Sequence, residues 1–165
     1  MSKILFSLFL LLGGCFTVSA QMGGAQRIVP ALEKKFVLHA PVEKVWEYIM
    51  KPENYKKFAG VKSYDCKEHA NEAEAKVCNK AGENREQKIG YLSYEFYQLC
   101  FFVNKSPYMD GQWVYAISLT PKGKDCEVTL TMNAGIDPKE APVTLVKAME
   151  QEFSDMQMGL KKVFK

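Results

Sequence analysis

The chain has 165 residues, enough for one domain and short for two. Hydrophobic residues make up 47% and charged residues 25%, the balance of a folded globular protein rather than a disordered one. A formal net charge of +3, with Arg27 and Arg85 the only arginines among the cations, excludes the strongly basic footprint of a nucleic-acid binder.

Met1-Ser2-Lys3 is a short basic start, and Ile4 to Val18 is an apolar run too short to span a bilayer securely. Val18-Ser19-Ala20 sets short side chains where a signal peptidase reads, so residues 1–20 are expected to be a signal peptide. Leu12-Gly13-Gly14-Cys15 offers a competing reading as a lipobox, with Cys15 as the site of a lipid anchor, although apolar Phe16-Thr17-Val18 stands where a tether is usually polar. Both readings export the protein, to the periplasm or as a secreted chain, with no transmembrane span in the mature part. Residues 21–32 read as a flexible leader, and residues 33–165 as the folded domain.

Glu33 to His39 is a first strand. Proline suits a helix start, so His39-Ala40-Pro41 should open an amphipathic helix in which Val42, Val45, Trp46 and Ile49 share one face. Lys51-Pro52 ends it, and Glu53 to Phe58 makes a second short helix. From Val61 the pattern is β, with strands at 61–67, 75–80, 85–92 and 96–103. The parity of the last two is ambiguous, because Phe101 and Phe102 are both apolar. Trp113, Tyr115, Ile117 and Leu119 then alternate with smaller or polar residues, as do Val128, Leu130 and Met132. If the turn between them centres near Gly123, Ile117 opposes Leu130 and Leu119 opposes Val128, with both apolar rows on one face. Asp137-Pro138 should start a long C-terminal helix whose Leu145, Met149, Phe153, Met156, Leu160 and Val163 recur at three and four.

This order gives an α+β fold: a curved, seven-stranded antiparallel sheet around a long C-terminal helix, with two short helices after strand 1. It resembles the START-like (SRPBCC) helix-grip superfamily, which includes polyketide cyclases, lipid-transfer domains and pollen allergens. The residues that carry the resemblance are Val37 to Trp46, then Lys51-Pro52-Glu53-Asn54-Tyr55, then Gly60-Val61. The resemblance implies a cavity between sheet and last helix that takes a hydrophobic small molecule, a lipid or an aromatic metabolite. Its wall would be Trp113, Tyr115, Ile117, Leu119, Val128, Leu130, Met132, Met149, Phe153 and Met156, with Tyr55 and Phe58 near the mouth. Read from the pattern alone, the same rows are more simply a plain side-chain core, since alternation reports burial and not a void.

No nucleophile elbow, P-loop, dinucleotide fingerprint or HExxH motif occurs. Cys66, His69 and Cys78 could offer three zinc ligands, but no fourth is evident, so no metal and no cofactor are expected. Arg85, Glu86, Glu95 and the tyrosines Tyr91, Tyr94, Tyr97, Tyr108 and Tyr115 are polar groups that a cavity enzyme would use. Each also fits a surface pair or an amphipathic edge, and none is assigned as catalytic. Two function classes therefore stand: a carrier or sensor of an apolar ligand, and a cyclase- or dehydratase-type enzyme working in the same cavity. An interior filled by its own side chains would make a third, purely structural one. For an exported chain, the four cysteines after residue 20 stand where disulfides persist. A turn centred near Glu72 sets Cys66 directly opposite Cys78, which predicts a bridge between them; Cys100 and Cys126, with a whole strand between theirs, should be unbridged and at least partly buried.

Overall fold

The computed structural model describes residues 29–69 and 72–165; the expected signal peptide, the Cys15 lipobox and most of the leader lie outside the described residues. The elements in chain order are β1 (Leu32–Leu38), α1 (Val42–Ile49), α2 (Pro52–Ala59), β2 (Ser63–His69), β3 (Glu72–Cys78), β4 (Asn84–Ser93), β5 (Gln98–Lys105), β6 (Trp113–Lys122), β7 (Asp125–Asn133), a 3-10 turn (Pro138–Glu140) and α3 (Val143–Val163). Among the described residues seven strands form one curved antiparallel sheet in the order β1-β7-β6-β5-β4-β3-β2. Leu145, Met149, Phe153, Met156 and Leu160 of α3 are fully buried in one cluster with the inward rows of β6 and β7. Burial of each such side chain is worth about 1.5–3 kcal/mol, so this stripe holds the helix against the sheet. The β6–β7 register is the expected one: Ile117 faces Leu130 and Leu119 faces Val128.

The outer face of the sheet at its far edge is a ladder of alternating charge. Asp65 pairs with Lys76, Lys76 with Glu86, and Glu86 with Lys105. One row over, Lys67 pairs with Glu74 and Glu74 with Lys88. Opposite charges on neighbouring strands attract, and charge on an edge such as β2 discourages pairing with a second sheet.

That ladder corrects the sequence reading. The expected turn is centred near Glu72, but Glu72 is already in β3, paired with His69 of β2. The register therefore slips by three residues from the expected one. Cys66 lies opposite Ala75 and Cys78 opposite Ser63, with the two cysteines on opposite faces, so the expected Cys66–Cys78 bridge is not made. Cys100 is half-buried and Cys126 buried; both are thiols, with β6 between their strands.

Three boundaries also move. α3 begins at Val143 rather than near Asp137, because Pro142 holds Ala141 extended (ψ 133°) and interrupts the helical backbone there. Pro41 is the residue before α1 rather than its first helical one. Leu32 already belongs to β1, paired with Met132. Val163 does not continue the buried stripe and is 47% exposed.

α2 ends on Gly60 in the left-handed conformation (φ 65°), which turns the chain into β2. α2 then crosses α3 closely at Gly159, where an added Cβ would stand 2.7 Å from the Phe58 Cα and closer still to its carbonyl oxygen. Backbone cannot step aside as a flexible side chain would. Gly159→Ala should therefore lower stability by about 1–3 kcal/mol in urea unfolding, by forcing the two helices apart; an unchanged midpoint would show that the contact does not set their spacing.

Candidate functional site

Helical spacing places Glu152 inside the apolar stripe of α3, three residues after Met149 and one before Phe153. The inward row of β4 carries Arg85 and Gln87. Tyr115 comes from β6 and Tyr55 from α2. All five are buried, and together they form a polar cluster inside the grip.

Arg85 meets Glu152 with both arms of its guanidinium. Nη1 donates to Oε2 at 2.5 Å and Nη2 to Oε1 at 2.6 Å, a bidentate pair. Nη2 also donates to the Tyr55 hydroxyl at 3.2 Å, and Nε donates to Gln87 Oε1 at 2.8 Å. The guanidinium carbon stands 5.3 Å from the Tyr115 ring centroid, and that ring stacks on Phe101 at 4.6 Å. Burial alone would favour loss of the Arg85 proton. The negative charge of Glu152, then the tyrosine oxygens, outweigh burial and hold its pKa well above the ordinary arginine value.

The hydroxyls are fixed by the same logic. Tyr115 donates to Gln87 Oε1 at 2.9 Å. Its single proton is then committed, so the Tyr55 proton serves Tyr115 at 2.7 Å and Glu152 Oε1 at 3.2 Å. Burial, reinforced by Tyr115 and Glu152, pushes the Tyr55 pKa well above 10. Burial also lifts Tyr115, against the pull of Arg85, to about 12. Both tyrosines therefore remain protonated donors at neutral pH.

Gln87 completes the cluster but is not itself complete. Its oxygen must face Arg85 Nε and Tyr115, because both are donors there, and this fixes the orientation of the amide. Its Nε2 is left buried with no hydrogen-bond acceptor. A buried donor without a partner costs about 1–3 kcal/mol.

A cleft of about 140 Å³ opens between the end of α2, the β3–β4 turn and α3, and Glu152 is part of its wall with Gly60, Asn79, Lys80, Gln151 and Asp155. The turn is held firmly. Asn79 Nδ2 donates to Glu83 and its Oδ1 accepts from the Glu83 N–H, while the Tyr108 hydroxyl donates to Glu83 Oε2. That hydroxyl, with Asn79 second, holds the Glu83 carboxyl below its ordinary range. From this turn Lys80 reaches Asp155 on α3 at 2.7 Å, and the exposed lysine meets a buried carboxylate at the cleft. Two roomier hollows are about 170 Å³ over the outer charge ladder, with Gln87 among its lining residues, and about 370 Å³ beside Leu32 and Ser154; neither includes Arg85, Glu152, Tyr55 or Tyr115.

The residues expected to wall a cavity are together in this interior. Trp113, Tyr115, Ile117, Leu119, Val128, Leu130, Met132, Met149, Phe153 and Met156 are buried in one cluster. Tyr55 is buried with its hydroxyl in the polar cluster, and Phe58 is buried against Gly159. Of the polar groups raised from sequence whose side chains are described, Arg85 and Tyr115 are buried in the interior. Glu86 belongs to the outer ladder, Tyr94 and Glu95 are exposed, and Tyr97 packs edge-on against Trp46. Glu152 and Gln87 were missed. The signal for Glu152 was present as a lone carboxylate among the apolar positions of the last helix.

The same helix-grip arrangement, a curved antiparallel sheet laid around a long C-terminal helix, occurs in solved structures of low sequence identity. The Zhui aromatase/cyclase from Streptomyces sp. R1128 superposes with a TM-score of 0.65 at 14% identity, over 79% of this chain and 91% of that one. Norcoclaurine synthase from Thalictrum flavum, solved with dopamine and hydroxybenzaldehyde, gives 0.62 at 13%, over 80% and 84%. XoxI from Bacillus cereus gives 0.62 at 13%, over 81% and 94%. No family model and no curated protein matches the sequence. Identities this low establish the common fold only.

A charge that loses its buried partner is strongly destabilising, whereas replacing both partners by apolar groups is far milder. Glu152→Gln, which leaves the Arg85 guanidinium uncompensated, should cost about 3–5 kcal/mol in urea unfolding. Arg85→Met combined with Glu152→Leu should cost clearly less. A Glu152→Gln protein within about 1 kcal/mol of wild type would mean that the pair is not held in a dry interior.

Proposed function

We propose that this chain is an exported protein that binds a hydrophobic small molecule, a lipid or an aromatic metabolite, between the sheet and α3. The observation that carries this reading is the placement of one polar cluster within an otherwise apolar interior, beside a cleft that reaches Glu152. Apolar surroundings supply affinity, and a few fixed polar groups orient the bound molecule. The small cleft and its Lys80–Asp155 closure imply that α3 and the β3–β4 turn separate to admit a ligand. Norcoclaurine synthase, solved with two small aromatic molecules, has the same fold and supports an aromatic ligand by analogy. Export rests on the expected signal peptide at residues 1–20.

The electrostatics favour binding over catalysis. Proton transfer at neutral pH needs a base poised near that pH. Tyr55 and Tyr115 are driven away from it, and Glu152 is engaged by both arms of Arg85. A cyclase or dehydratase working here would first have to break that pair.

The neutral fluorophore N-phenyl-1-naphthylamine tests the assignment. Trp113→Ala, Tyr115→Ala or Phe153→Ala, in proteins shown by circular dichroism to stay folded, should change its Kd by about tenfold, the cost of a lost buried contact. Lys122→Ala and Lys165→Ala should leave it unchanged. Equal effects from the two sets would place any binding outside the grip.

A further inference from the structure

We infer that the interior selects an uncharged ligand through a hydrogen-bond acceptor, a carbonyl or ether oxygen, that is read by Gln87 Nε2. This rests on the small-molecule-binding reading above and specifies the chemistry of the molecule bound.

Charge is the first filter. Arg85 and Glu152 satisfy each other through two short bonds, so the cluster presents no net charge to a newcomer. An anionic head group would meet Glu152, and a cationic one would meet Arg85. Either would also lose its hydration without gaining a counter-ion, which is costly in a buried site. A neutral head group avoids both.

Hydrogen-bond type is the second filter. Arg85 Nε, both of its Nη groups and both tyrosine hydroxyls have acceptors within the cluster. Glu152 accepts from Arg85 at both oxygens and Gln87 Oε1 accepts twice. What the cluster lacks is an acceptor for one donor, the Gln87 amide nitrogen. The amide cannot turn over to hide it, because its oxygen would then leave Arg85 Nε and Tyr115 facing a second donor. The hydrogen-bonded chain runs from Glu152, in the wall of the cleft, through Arg85 to Gln87. Entry past Lys80 and Asp155 therefore brings a ligand to the carboxylate, two hydrogen bonds along the cluster from the open donor. A site built to bond an acceptor discriminates strongly against an analogue lacking one, because the donor is again left alone.

Three probes of similar size test this: 2-acetylnaphthalene, 2-ethylnaphthalene and 2-naphthoate, titrated against the full chain by equilibrium dialysis. The acetyl compound should bind about tenfold more tightly than the ethyl compound, the ordinary effect of one buried hydrogen bond, and the naphthoate more weakly than the acetyl compound. In Gln87→Glu the oxygen facing Arg85 Nε and Tyr115 is kept and the open donor becomes an acceptor, so the acetyl preference should disappear. Should that variant fail to fold, wild-type protein labelled with ¹⁵N gives the same answer. The Gln87 side-chain amide resonances should move with 2-acetylnaphthalene and stay in place with 2-ethylnaphthalene. Equal affinities for the acetyl and ethyl compounds, an acetyl preference that survives in Gln87→Glu, or tightest binding of the naphthoate would each overturn the inference while leaving small-molecule binding intact. If none of the three binds, the binding reading falls with it.

Discussion

The arrangement turns on one guanidinium taken out of water. Arginine keeps its charge at any accessible pH, so a buried arginine must be met by an anion in a matching geometry. Arg85 sits on β4 and its partner Glu152 on α3, so one bidentate contact joins the sheet to the helix laid across it. The apolar stripe of α3 supplies most of the attraction but little direction, because a greasy face tolerates small slides and rotations. Two short bonds between planar groups do not. The pair therefore sets the rotation and height of α3 on the sheet, and with them the positions of Met149, Phe153 and Met156.

Other features follow from holding α3 there. The α2 backbone comes against the same helix at Gly159, which brings Tyr55 over the pair. Tyr115 and Gln87 close the remaining sides, and burial keeps both tyrosines protonated, so they act as donors. Only the Gln87 amide nitrogen is left over. At the surface, Asp155 lies one turn further along α3 and takes Lys80 from the β3–β4 turn. Two ion pairs thus flank the cleft, one buried, the other with an exposed lysine that water can compete for.

Much of this fold was legible because the relevant signals are periodic. The alternation through Trp113–Leu119 and Val128–Met132 gave both strands, their register and their inner face. The spacing from Leu145 to Leu160 gave the helix that lies against them. The β2–β3 hairpin was legible as two strands, at 61–67 and 75–80, but not in register. Its outward positions Asp65, Lys67, Glu74 and Lys76 are all charged, so no pair of matched apolar rows fixed where the turn falls. The misplaced turn moved the register by three residues and produced a disulfide the structure does not make. The polar cluster was hidden for a different reason. Arg85, Glu152, Tyr55 and Tyr115 are far apart in sequence, and nothing in local periodicity says that they converge. The traces available were an isolated arginine in a lysine-rich chain and a glutamate at a core position of the last helix, and only their conjunction across the sheet makes a site.

The fold is shared by proteins of very different activity, so it cannot by itself distinguish a carrier from an enzyme. What favours a carrier is the state of the polar groups: satisfied, neutral as a set, and short of one acceptor. Native mass spectrometry of the protein purified from its own host tests that account most directly. The account predicts a complex with one small molecule per chain, which on release proves uncharged and carries a carbonyl or ether oxygen on an apolar body. A chain that always flies at the mass of the polypeptide alone, or a released molecule that is ionic, would contradict it.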